Sequence, residues 1–471
     1  MNELLNRRVP TPEVCSSFWR DKRVAITGAA GTIGSALALR LAQVGCAKLG
    51  LLDSFDHGLI GAVDSIRRAA PHQPLDETLG DIRDLPRMTA WMQAFQPDIV
   101  VHAAALKHVH LGERHPAPCV LTNLIGADNA MAAAHAAHAE RFILISSDKA
   151  ADPVCLMGAT KRLAELRLGG FHREHSGAML LRAVRFGNVY GSQGSVIPRF
   201  IEQIEAGGPL ELTHPDMQRF FMSIDEAVDF ILSVAALDRV EGEEGQAFFM
   251  DMGEPHSIKA LGEELIRRSG KEIEIKITGM RPGERLNEIL VDQHENVAPS
   301  SLANIYRVAP RSTNAFVTEA DLAALKEELQ GLRDDTLRDT IFALLRDRMA
   351  GTERAPAMRP GMRALADKAA AALTLIVLGG LAIAMTEMIP ALRTLRYPGL
   401  TSFGILVVAF GSLYLIVKGL WRRRGAARGA RGSGGFVVSG RSAVRAGAPE
   451  LVMGATLFVG GLLAIDWLNL L

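Results

Sequence analysis

The segment between residues 23 and 34 constrains the fold of this chain most. The run RVAI (23–26) is typical of a short buried strand, and it leads into the glycine loop GAAGTIG (28–34) and then a helical stretch. Strand, glycine loop and helix in this order are typical of a dinucleotide-binding fold. Further apolar segments, alternating with Ala- and Leu-rich helical stretches, lie at 48–52, 99–104, 142–146 and 179–184. The pattern predicts an α/β fold, a doubly wound parallel sheet with a smaller substrate-binding region.

The glycine loop and the strand ends beside it predict a nucleotide site. Gly28 permits the turn, Gly31 lets backbone amides approach a pyrophosphate, and Gly34 lets the helix pack on the sheet. Asp53 can bind ribose hydroxyls and would repel a 2′-phosphate, which favours NAD over NADP; a solvated turn carboxylate is the alternative. Asp81 is either an adenine contact or a cap or turn residue. The predicted cofactor contacts are Gly28, Gly31, Thr32, Ile33, Gly34, Asp53, Asp81, Ile82, Ala103 and Lys161.

A carboxyl and an amine stand side by side in the segment SSDK (146–149). The helical stretch that follows carries Met157 and Lys161 one turn apart on the same face. The thioether of Met157 does no acid–base chemistry. The groups of this part of the chain that can transfer a proton are therefore Asp148 and Lys149. This combination indicates elimination of water rather than simple oxidoreduction. The alternative is an exposed ion pair in a loop.

Composition limits the partners of the chain. The 52 basic and 52 acidic residues leave no net charge to attract nucleic acid. The cysteines have neither CxxC nor zinc spacing, which fits a reducing compartment and predicts no metal. They are Cys15, Cys46, Cys119 and Cys155.

Three apolar runs, at 369–385, 397–417 and 451–471, follow a region in which acidic residues nearly vanish. Each approaches the roughly 20 residues that cross a bilayer as a helix; a buried core helix or an apolar tail is the alternative. Arginines crowd the link between the second and third runs, and positive charge stays cytoplasmic. We therefore predict a multi-pass protein of the inner (cytoplasmic) membrane with two or three transmembrane helices and its catalytic domain in the cytoplasm.

These patterns divide the chain into an N-terminal arm, a catalytic domain, a linker and a membrane region. Their predicted bounds are 1–22, 23–350, 351–368 and 369–471. Within the catalytic domain we expect a cofactor core at about 23–190, a substrate-binding part mainly at 191–312 and a helical end at 313–350.

Six stretches, taken in order, carry a resemblance to a known family: TGAAGTIGS (27–35), HAAALKHV (102–109), SSDKAADPVCLMGATKRLAE (146–165), RFGNVYGSQGSVIPRF (185–200), THPDMQRFFM (213–222) and GMRPGERLNE (279–288). From about residue 1 to 345 the chain resembles the membrane-type polysaccharide-biosynthesis 4,6-dehydratases that act on UDP-N-acetylglucosamine, which are extended short-chain dehydrogenases with a Rossmann sheet. The usual catalytic Tyr of that superfamily is replaced by Met157, as in many membrane-anchored members. Those members usually carry their spans before the catalytic part, so the resemblance implies nothing about residues 363–471.

The resemblance implies that NAD takes hydride from sugar carbon 4 and returns it to carbon 6 while water is lost. Lys149 would be the base at carbon 5, its pKa lowered by burial and by Lys161. Asp148 would be the acid at the carbon 6 oxygen, and Ser147, where relatives commonly have Thr, would bind the carbon 4 oxygen. Lys161 would hold the nicotinamide ribose. The implied substrate contacts, each with a structural or rim position as its alternative, are Lys107, His108, Asn188, Arg219 and Arg281.

Two other functions stay open. A nucleotide-sugar 4-epimerase shares the fold but relies on the Tyr that Met157 replaces. A non-catalytic membrane scaffold binding NAD or a UDP-sugar would have no need of Asp148, Lys149 and Lys161. The expectation is therefore a lyase acting on a UDP-N-acetylhexosamine for surface polysaccharide or glycan synthesis. It would be a homo-oligomer, since relatives tend to form dimers or larger assemblies.

Overall fold

The computed structural model describes residues 13–177, 179–239, 245–329 and 334–350. All of them lie in the first of two units into which the chain divides, Met1–Arg354. In these ranges no helix has the length and apolar character needed to span a bilayer. The three apolar runs and the linker lie outside the described residues. The described part also holds no cluster of three or more His, Cys, Asp or Glu residues that could bind a metal.

The strands of the described residues are, in chain order, β1 (Arg23–Thr27), β2 (Lys48–Asp53), β3 (Leu75–Leu79), β4 (Ile99–His102), β5 (Arg141–Ile145), β6 (Leu180–Arg185), β7 (Asn188–Val189), β8 (Leu210–Leu212), β9 (Gln218–Arg219), β10 (Phe221–Met222), β11 (Gln246–Met250), β12 (His256–Ser257), β13 (Ile275–Ile277), β14 (Glu295–Pro299) and β15 (Ile305–Pro310).

The helices of the same residues are α1 (Glu13–Arg20), α2 (Thr32–Val44), α3 (Asp56–Ala69), α4 (Leu85–Phe95), α5 (Val109–Arg114), α6 (Pro116–Val120), α7 (Gly126–Ala136), α8 (Leu156–Glu174), α9 (Val196–Glu205), α10 (Ile224–Ala236), α11 (Ile258–Ser269), α12 (Glu319–Leu329) and α13 (Asp334–Met349). A π-helical turn, Leu121–Ile125, precedes α7, and a 3₁₀ turn, Asp148–Ala150, follows β5.

A nine-stranded sheet in the order β14-β15-β11-β6-β5-β4-β1-β2-β3 forms the centre of the unit. In this sheet the neighbouring strands from β3 at one edge across to β11 are all parallel. At the other edge β15 pairs antiparallel with β11, and β14 pairs antiparallel with β15. The strand order reverses between β1 and β4, and open α/β sheets bind ligands at the carboxyl ends of the strands beside such a reversal. The predicted doubly wound parallel sheet is confirmed, and the site is expected beyond Thr27 and His102, which are register partners at these strand ends.

Helices cover both faces of the sheet and bury an apolar layer on each. One layer includes Met88, Met131 and Leu163 from α4, α7 and α8. The other includes Leu37 and Phe230 from α2 and α10. Burying each large side chain contributes about 1.5–3 kcal/mol. The two layers fix the strand ends, and with them the loops that carry the site.

The region expected to bind substrate, mainly 191–312, is divided between two structures. Its strands β11, β15 and β14 extend the central sheet. The rest packs around a smaller apolar cluster that includes Phe200, Leu210 and Phe221. The sequence could not show this division, because the apolar pattern of β11 does not reveal that its partner is β6.

Candidate active site

The glycine loop after β1 approaches the segment after β4 closely. Gly28 has a φ of +73°, and a Cβ on it would lie 2.4 Å from the Ala104 nitrogen. A Cβ on Gly34 would lie 2.1 Å from the Gly28 carbonyl oxygen. Helix α2 begins at Thr32, and among the described residues no side chain caps it. Its first amides are therefore left to an anionic ligand, as predicted for a pyrophosphate.

Asp53 ends β2 and holds the glycine loop in place. Its Oδ2 atom accepts a hydrogen bond from the Ala30 amide at 2.8 Å, and its Oδ1 atom accepts one from the Phe55 amide at 3.0 Å. Each carboxylate oxygen keeps a second lone pair, so these bonds are compatible with ribose binding. Ala103 lies against Gly28, and Ile33 packs against the apolar layer of α2.

The segment after β3 has the geometry of a turn. Asp81 accepts a hydrogen bond from the Arg83 amide at 2.9 Å and pairs with its guanidinium. Hydrogen bonding from Arg83 holds the pKa of Asp81 below its usual range. The Ile82 side chain is 5 % exposed and packs beside Gly126. These contacts match the turn interpretation of Asp81, and the Ile82 side chain belongs to a buried apolar layer.

Gln193 joins the glycine loop to the segment after β4, a contact that the sequence pattern does not predict. Its amide donates to the Thr32 hydroxyl at 3.2 Å, and its carbonyl accepts from Lys107 Nζ. His108 lies next to Gly194, where a Cβ would approach the ring to 2.8 Å. Burial, followed by the charge of Lys107, lowers the pKa of His108. The loop at 191–195 therefore lies over the residues expected to line the sugar side.

The acid and the amine lie in the 3₁₀ turn at the carboxyl end of β5. Ser147 caps this turn, accepting from the Lys149 amide at 3.2 Å and donating to Asp148 Oδ1 at 2.8 Å. Lys149 Nζ lies 3.0 Å from the same Oδ1 atom. Asp148 is only 1 % exposed, and its Oδ2 atom has no hydrogen-bond partner among the described residues. This oxygen can accept a hydrogen bond from a bound ligand or from a water molecule.

A third group, Glu288, was missed by the sequence interpretation. Its Oε1 atom lies 3.4 Å from Lys149 Nζ, and its side chain is 6 % exposed. The only sequence signal was its position as the last letter of the stretch GMRPGERLNE. Nothing in that stretch shows that it folds back onto residue 149.

The expectation that the pKa of Lys149 falls is wrong. Burial by itself lowers this pKa, but the carboxylates of Asp148 and then Glu288 outweigh burial and raise the pKa above its ordinary value. The cation that lowers the pKa of Lys149 is Arg219, whereas Lys161 Nζ donates a hydrogen bond to the Ile145 carbonyl at 2.8 Å. The amine of Lys149 is therefore an ammonium ion in the site without substrate.

Arg219 binds its own chain. The guanidinium donates to the carbonyls of Gln218, Leu286 and Arg285, and its Nε atom lies 3.8 Å from Glu288 Oε1. These contacts hold the segment that carries Glu288, so the geometry favours the structural alternative for Arg219 over a direct bond to UDP.

Asn188 and Arg281 keep their side chains available. Asn188 lies in β7 and bonds to Phe220 through its backbone, and Arg281 bonds to Glu284 through its backbone amide. Both are half-buried, and neither side chain forms a hydrogen bond within the described residues. Their assignment as UDP contacts stays a prediction.

Helix α8 carries Met157 and Lys161 one turn apart, and Lys161 Nζ donates to the carbonyl of Ile145 at the end of β5. Met157 is 4 % exposed and belongs to the apolar layer that includes Cys119 and Leu156. Burial lowers the pKa of Lys161 to about 8, although Cys119 and Glu165 oppose the shift. A buried thioether at residue 157 leaves Asp148 and Lys149 as the proton-transfer pair of this turn.

A buried ion network lies beside the acid–amine turn. Glu165 accepts from Ser146 Oγ at 2.6 Å and pairs with Arg185 and Arg162; both arginines also pair with Glu295. Burial raises the pKa of Glu165, but Arg185 outweighs burial and lowers it to about 2. The network joins β6, α8 and β14 to Ser146, the residue after β5. This network could not be predicted from the sequence, since charged residues usually face solvent.

Comparison with known proteins adds a family and relatives. The family model described as "Polysaccharide biosynthesis protein" matches residues 24–310. The chain is 38% identical over 315 residues to the capsular polysaccharide biosynthesis protein CapD of Staphylococcus aureus, covering 64% of this chain and 50% of that protein. It is 38% identical over 353 residues to the probable polysaccharide biosynthesis protein EpsC of Bacillus subtilis (strain 168), covering 73% and 57%. The chain thus spans about half the length of these two relatives.

Other similar proteins include epimerases and solved structures. UDP-glucose 4-epimerase of Rickettsia typhi is 33% identical over 294 residues, covering 61% of this chain and 83% of that protein. The X-ray structure of Pen from Bacillus thuringiensis is similar with a TM-score of 0.56 and 29% identity, covering 62% of this chain and 90% of Pen. The structure of DesIV, a dTDP-glucose 4,6-dehydratase from Streptomyces venezuelae with NAD and TYD bound, has a TM-score of 0.50 and 23% identity, covering 57% and 88%. This last similarity shows a shared fold.

Proposed function

The chain belongs to the polysaccharide biosynthesis protein family, and we propose that it is an NAD-dependent 4,6-dehydratase of a UDP-N-acetylhexosamine, with UDP-N-acetylglucosamine as the favoured substrate. The product would be a 4-keto-6-deoxy sugar nucleotide for surface polysaccharide or glycan synthesis. The single observation that carries this proposal is the buried Asp148 carboxylate, with one oxygen on Lys149 and the other without a partner among the described residues.

The pair can move the protons that elimination requires. In the observed arrangement the ammonium of Lys149 faces the carboxylate of Asp148 across 3.0 Å. Lys149 must first give its proton to solvent to become an amine base, and Asp148 would accept the carbon 4 hydroxyl proton as the hydride leaves carbon 4. The amine can then remove the proton at carbon 5, the acid can protonate the carbon 6 oxygen as water leaves, and the new ammonium can return a proton to carbon 5. The Ser147 hydroxyl would bind the carbon 4 oxygen.

The residues around the glycine loop fit NAD. Side chains at Gly28 and Gly34 would collide with backbone atoms, which preserves a loop shaped for a pyrophosphate. Asp53 would repel the 2′-phosphate of NADP, and the structure of DesIV, which shares the fold, was solved with NAD. Bound NAD would accept a hydride from carbon 4 and supply it to carbon 6. Lys161, behind the acid–amine turn, would hold the nicotinamide ribose.

A 4-epimerase is the second candidate, favoured by the named Rickettsia relative. That reaction needs a group that exchanges a proton at the carbon 4 oxygen and has no step for an acid at carbon 6. The buried thioether of Met157 cannot exchange a proton, whereas Asp148 and Lys149 fit the elimination. The side chains therefore support dehydration over epimerisation.

Mass spectrometry of UDP-N-acetylglucosamine incubated with the purified protein and NAD separates the candidates. Loss of one water is the expected result. An unchanged mass with a new sugar would establish the epimerase instead. An unchanged sugar with NAD bound would indicate the scaffold.

We also place the enzyme at the inner membrane, because its sequence carries three apolar runs after residue 368 and an arginine-rich link between the last two. A chain ending at Ala350 should still remove water from the sugar, since every site residue named here precedes it, but it should leave the membrane fraction. A folded, NAD-binding truncation without activity would contradict this division. A homo-oligomer remains our expectation and is measured by native mass spectrometry.

A further inference from the structure

Two carboxylates from distant parts of the chain meet one amine. Lys149 Nζ lies 3.0 Å from Asp148 Oδ1 and 3.4 Å from Glu288 Oε1. All three side chains are largely buried, with exposures of 17% for Lys149, 1% for Asp148 and 6% for Glu288. Asp148 lies in the same 3₁₀ turn as Lys149, whereas Glu288 belongs to a segment that follows the smaller apolar cluster in the chain.

The segment that carries Glu288 is held in place by Arg219. This guanidinium donates to the carbonyls of Arg285 and Leu286, three and two residues before Glu288. Its Nε atom also lies 3.8 Å from the Glu288 carboxylate. The contacts of Arg219 therefore hold the Glu288 carboxylate beside Lys149.

The charged and titratable groups around Lys149 come from four elements. Asp148 lies on its own turn, Glu288 on the later segment, Arg219 on β9 and Cys155 at the start of α8. Burial raises the pKa of the Cys155 thiol, so that this group stays neutral. The Arg219 cation opposes the ammonium. The two carboxylates are therefore the groups that keep Lys149 protonated.

We propose that Glu288 is a positioning residue for the base of the reaction: it holds Lys149 Nζ between two carboxylates and sets the pH above which this amine can take a proton from the sugar. The inference rests on the proposed function for the role of Lys149, and on contact geometry for the role of Glu288. Glu288 touches the base and acts through it.

Replacing Glu288 by Gln tests this inference, because Gln keeps the size and the hydrogen-bonding oxygen but removes the charge. With one stabilising carboxylate gone, Lys149 should lose its proton at lower pH. In Glu288→Asp, which keeps the charge on a shorter side chain, the midpoint should lie between those of the wild type and Glu288→Gln. Glu284→Gln is the matched control, since Glu284 bonds to the Arg281 amide in the same segment and should leave the Lys149 midpoint in place.

Competitive labelling of the full chain with acetic anhydride at a series of pH values, followed by peptide mass spectrometry, measures the midpoint of each lysine without substrate. The expected result is a downward shift for Lys149 in Glu288→Gln and a larger one in Asp148→Asn. An unchanged midpoint in folded Glu288→Gln, with folding checked by thermal melting, would overturn the inference. So would an equal shift in Glu284→Gln.

The pH profile of water loss supplies an independent readout. If Lys149 must be neutral to act, the rise of kcat with pH should move to lower pH in Glu288→Gln, while KM for the sugar nucleotide changes little. A purely structural role would lower kcat at every pH without moving the profile, and this outcome would also overturn the inference. If the wild type removes no water, the proposed function fails, and the labelling midpoints still decide the role of Glu288.

Discussion

Arg338 and Glu113 form an ion pair that joins the last described helix to the start of α8. Arg338 Nε lies 2.8 Å from Glu113 Oε2, while Glu113 Oε1 accepts a hydrogen bond at 2.7 Å from the Leu156 amide, the first of α8. A carboxylate at this position accepts a hydrogen bond from an amide that the helix itself leaves unpaired. Its negative charge also interacts favourably with the positive N-terminal end of the helix dipole. Since α8 carries Lys161, this pair connects α13 to the catalytic region.

The two partners of this pair should differ in their effect on stability. Glu113→Ala leaves the buried Leu156 amide without its acceptor and should lower the free energy of unfolding by about 1–3 kcal/mol. Arg338 is 40% exposed, so Arg338→Ala should cost at most about 1 kcal/mol. Thermal and urea unfolding of both variants beside the wild type checks the ranking. Equal losses would show that the Leu156 bond contributes nothing.

The buried network around Glu165 should make the fold sensitive to acid. The folded-state pKa of Glu165 is lowered to about 2 from 4.5, so its carboxylate stabilises the fold fully above pH 4.5. This stabilisation is lost as the pH falls from 4.5 toward 2. Glu165→Gln should lower stability near neutral pH by about 3–5 kcal/mol, because Arg185 loses a buried partner. The same variant should also lose less stability than the wild type as the pH falls from 4.5 toward 2.

Urea midpoints measured at several pH values between 6 and about 2.5 test this loss of stability at low pH. Glu77→Gln is a suitable control, since Glu77 forms an ion pair with Arg67 in which both side chains are exposed. It should change neither the stability nor its pH dependence by much. If Glu165→Gln lost as much stability at low pH as the wild type, other carboxylates would be the cause of that loss.

Gly34→Ala should abolish NAD binding. The added Cβ would lie 2.1 Å from the Gly28 carbonyl oxygen, so the start of α2 must move away from the loop. Gly61, on the solvent side of α3, has no atom within 4 Å of an added Cβ, and Gly61→Ala should stabilise the helix by up to about 1 kcal/mol. Calorimetric titration with NAD measures the difference. Wild-type affinity in Gly34→Ala would remove the glycine loop from the site.

Asp148→Asn should reduce the rate of water loss by about 10²–10⁴-fold, the contribution of a positioned acid or base. Asn keeps the shape of the side chain but carries no acidic proton to give to the leaving oxygen. Asp152→Asn is the control, because Asp152 is 56% exposed and pairs with Arg285. Mass-spectrometric rates on UDP-N-acetylglucosamine provide the measurement, and a near wild-type rate for Asp148→Asn would exclude it as the acid.

The parallel sheet, the glycine loop and the acid–amine pair were predictable from the sequence, because each depends on residues close together in the chain. Gly28 and Gly34 are required by one local turn, and Asp148 and Lys149 are adjacent by covalent bonding. The alternation of apolar strands with helical stretches likewise predicts the layers before any contact is known.

The protonation of Lys149 depends on a contact that only the tertiary structure creates. Burial lowers the pKa of Lys149, but the carboxylates of its neighbour Asp148 and of Glu288, which lies 139 positions later in the chain, together raise this pKa above its ordinary value. The same holds for the network of Glu165, Arg185 and Glu295, and for the Gln193 contacts with the glycine loop. Burial and charge act through distance in space, and a sequence fixes the chemistry of each group but not which groups the folded chain brings within a few ångströms of one another.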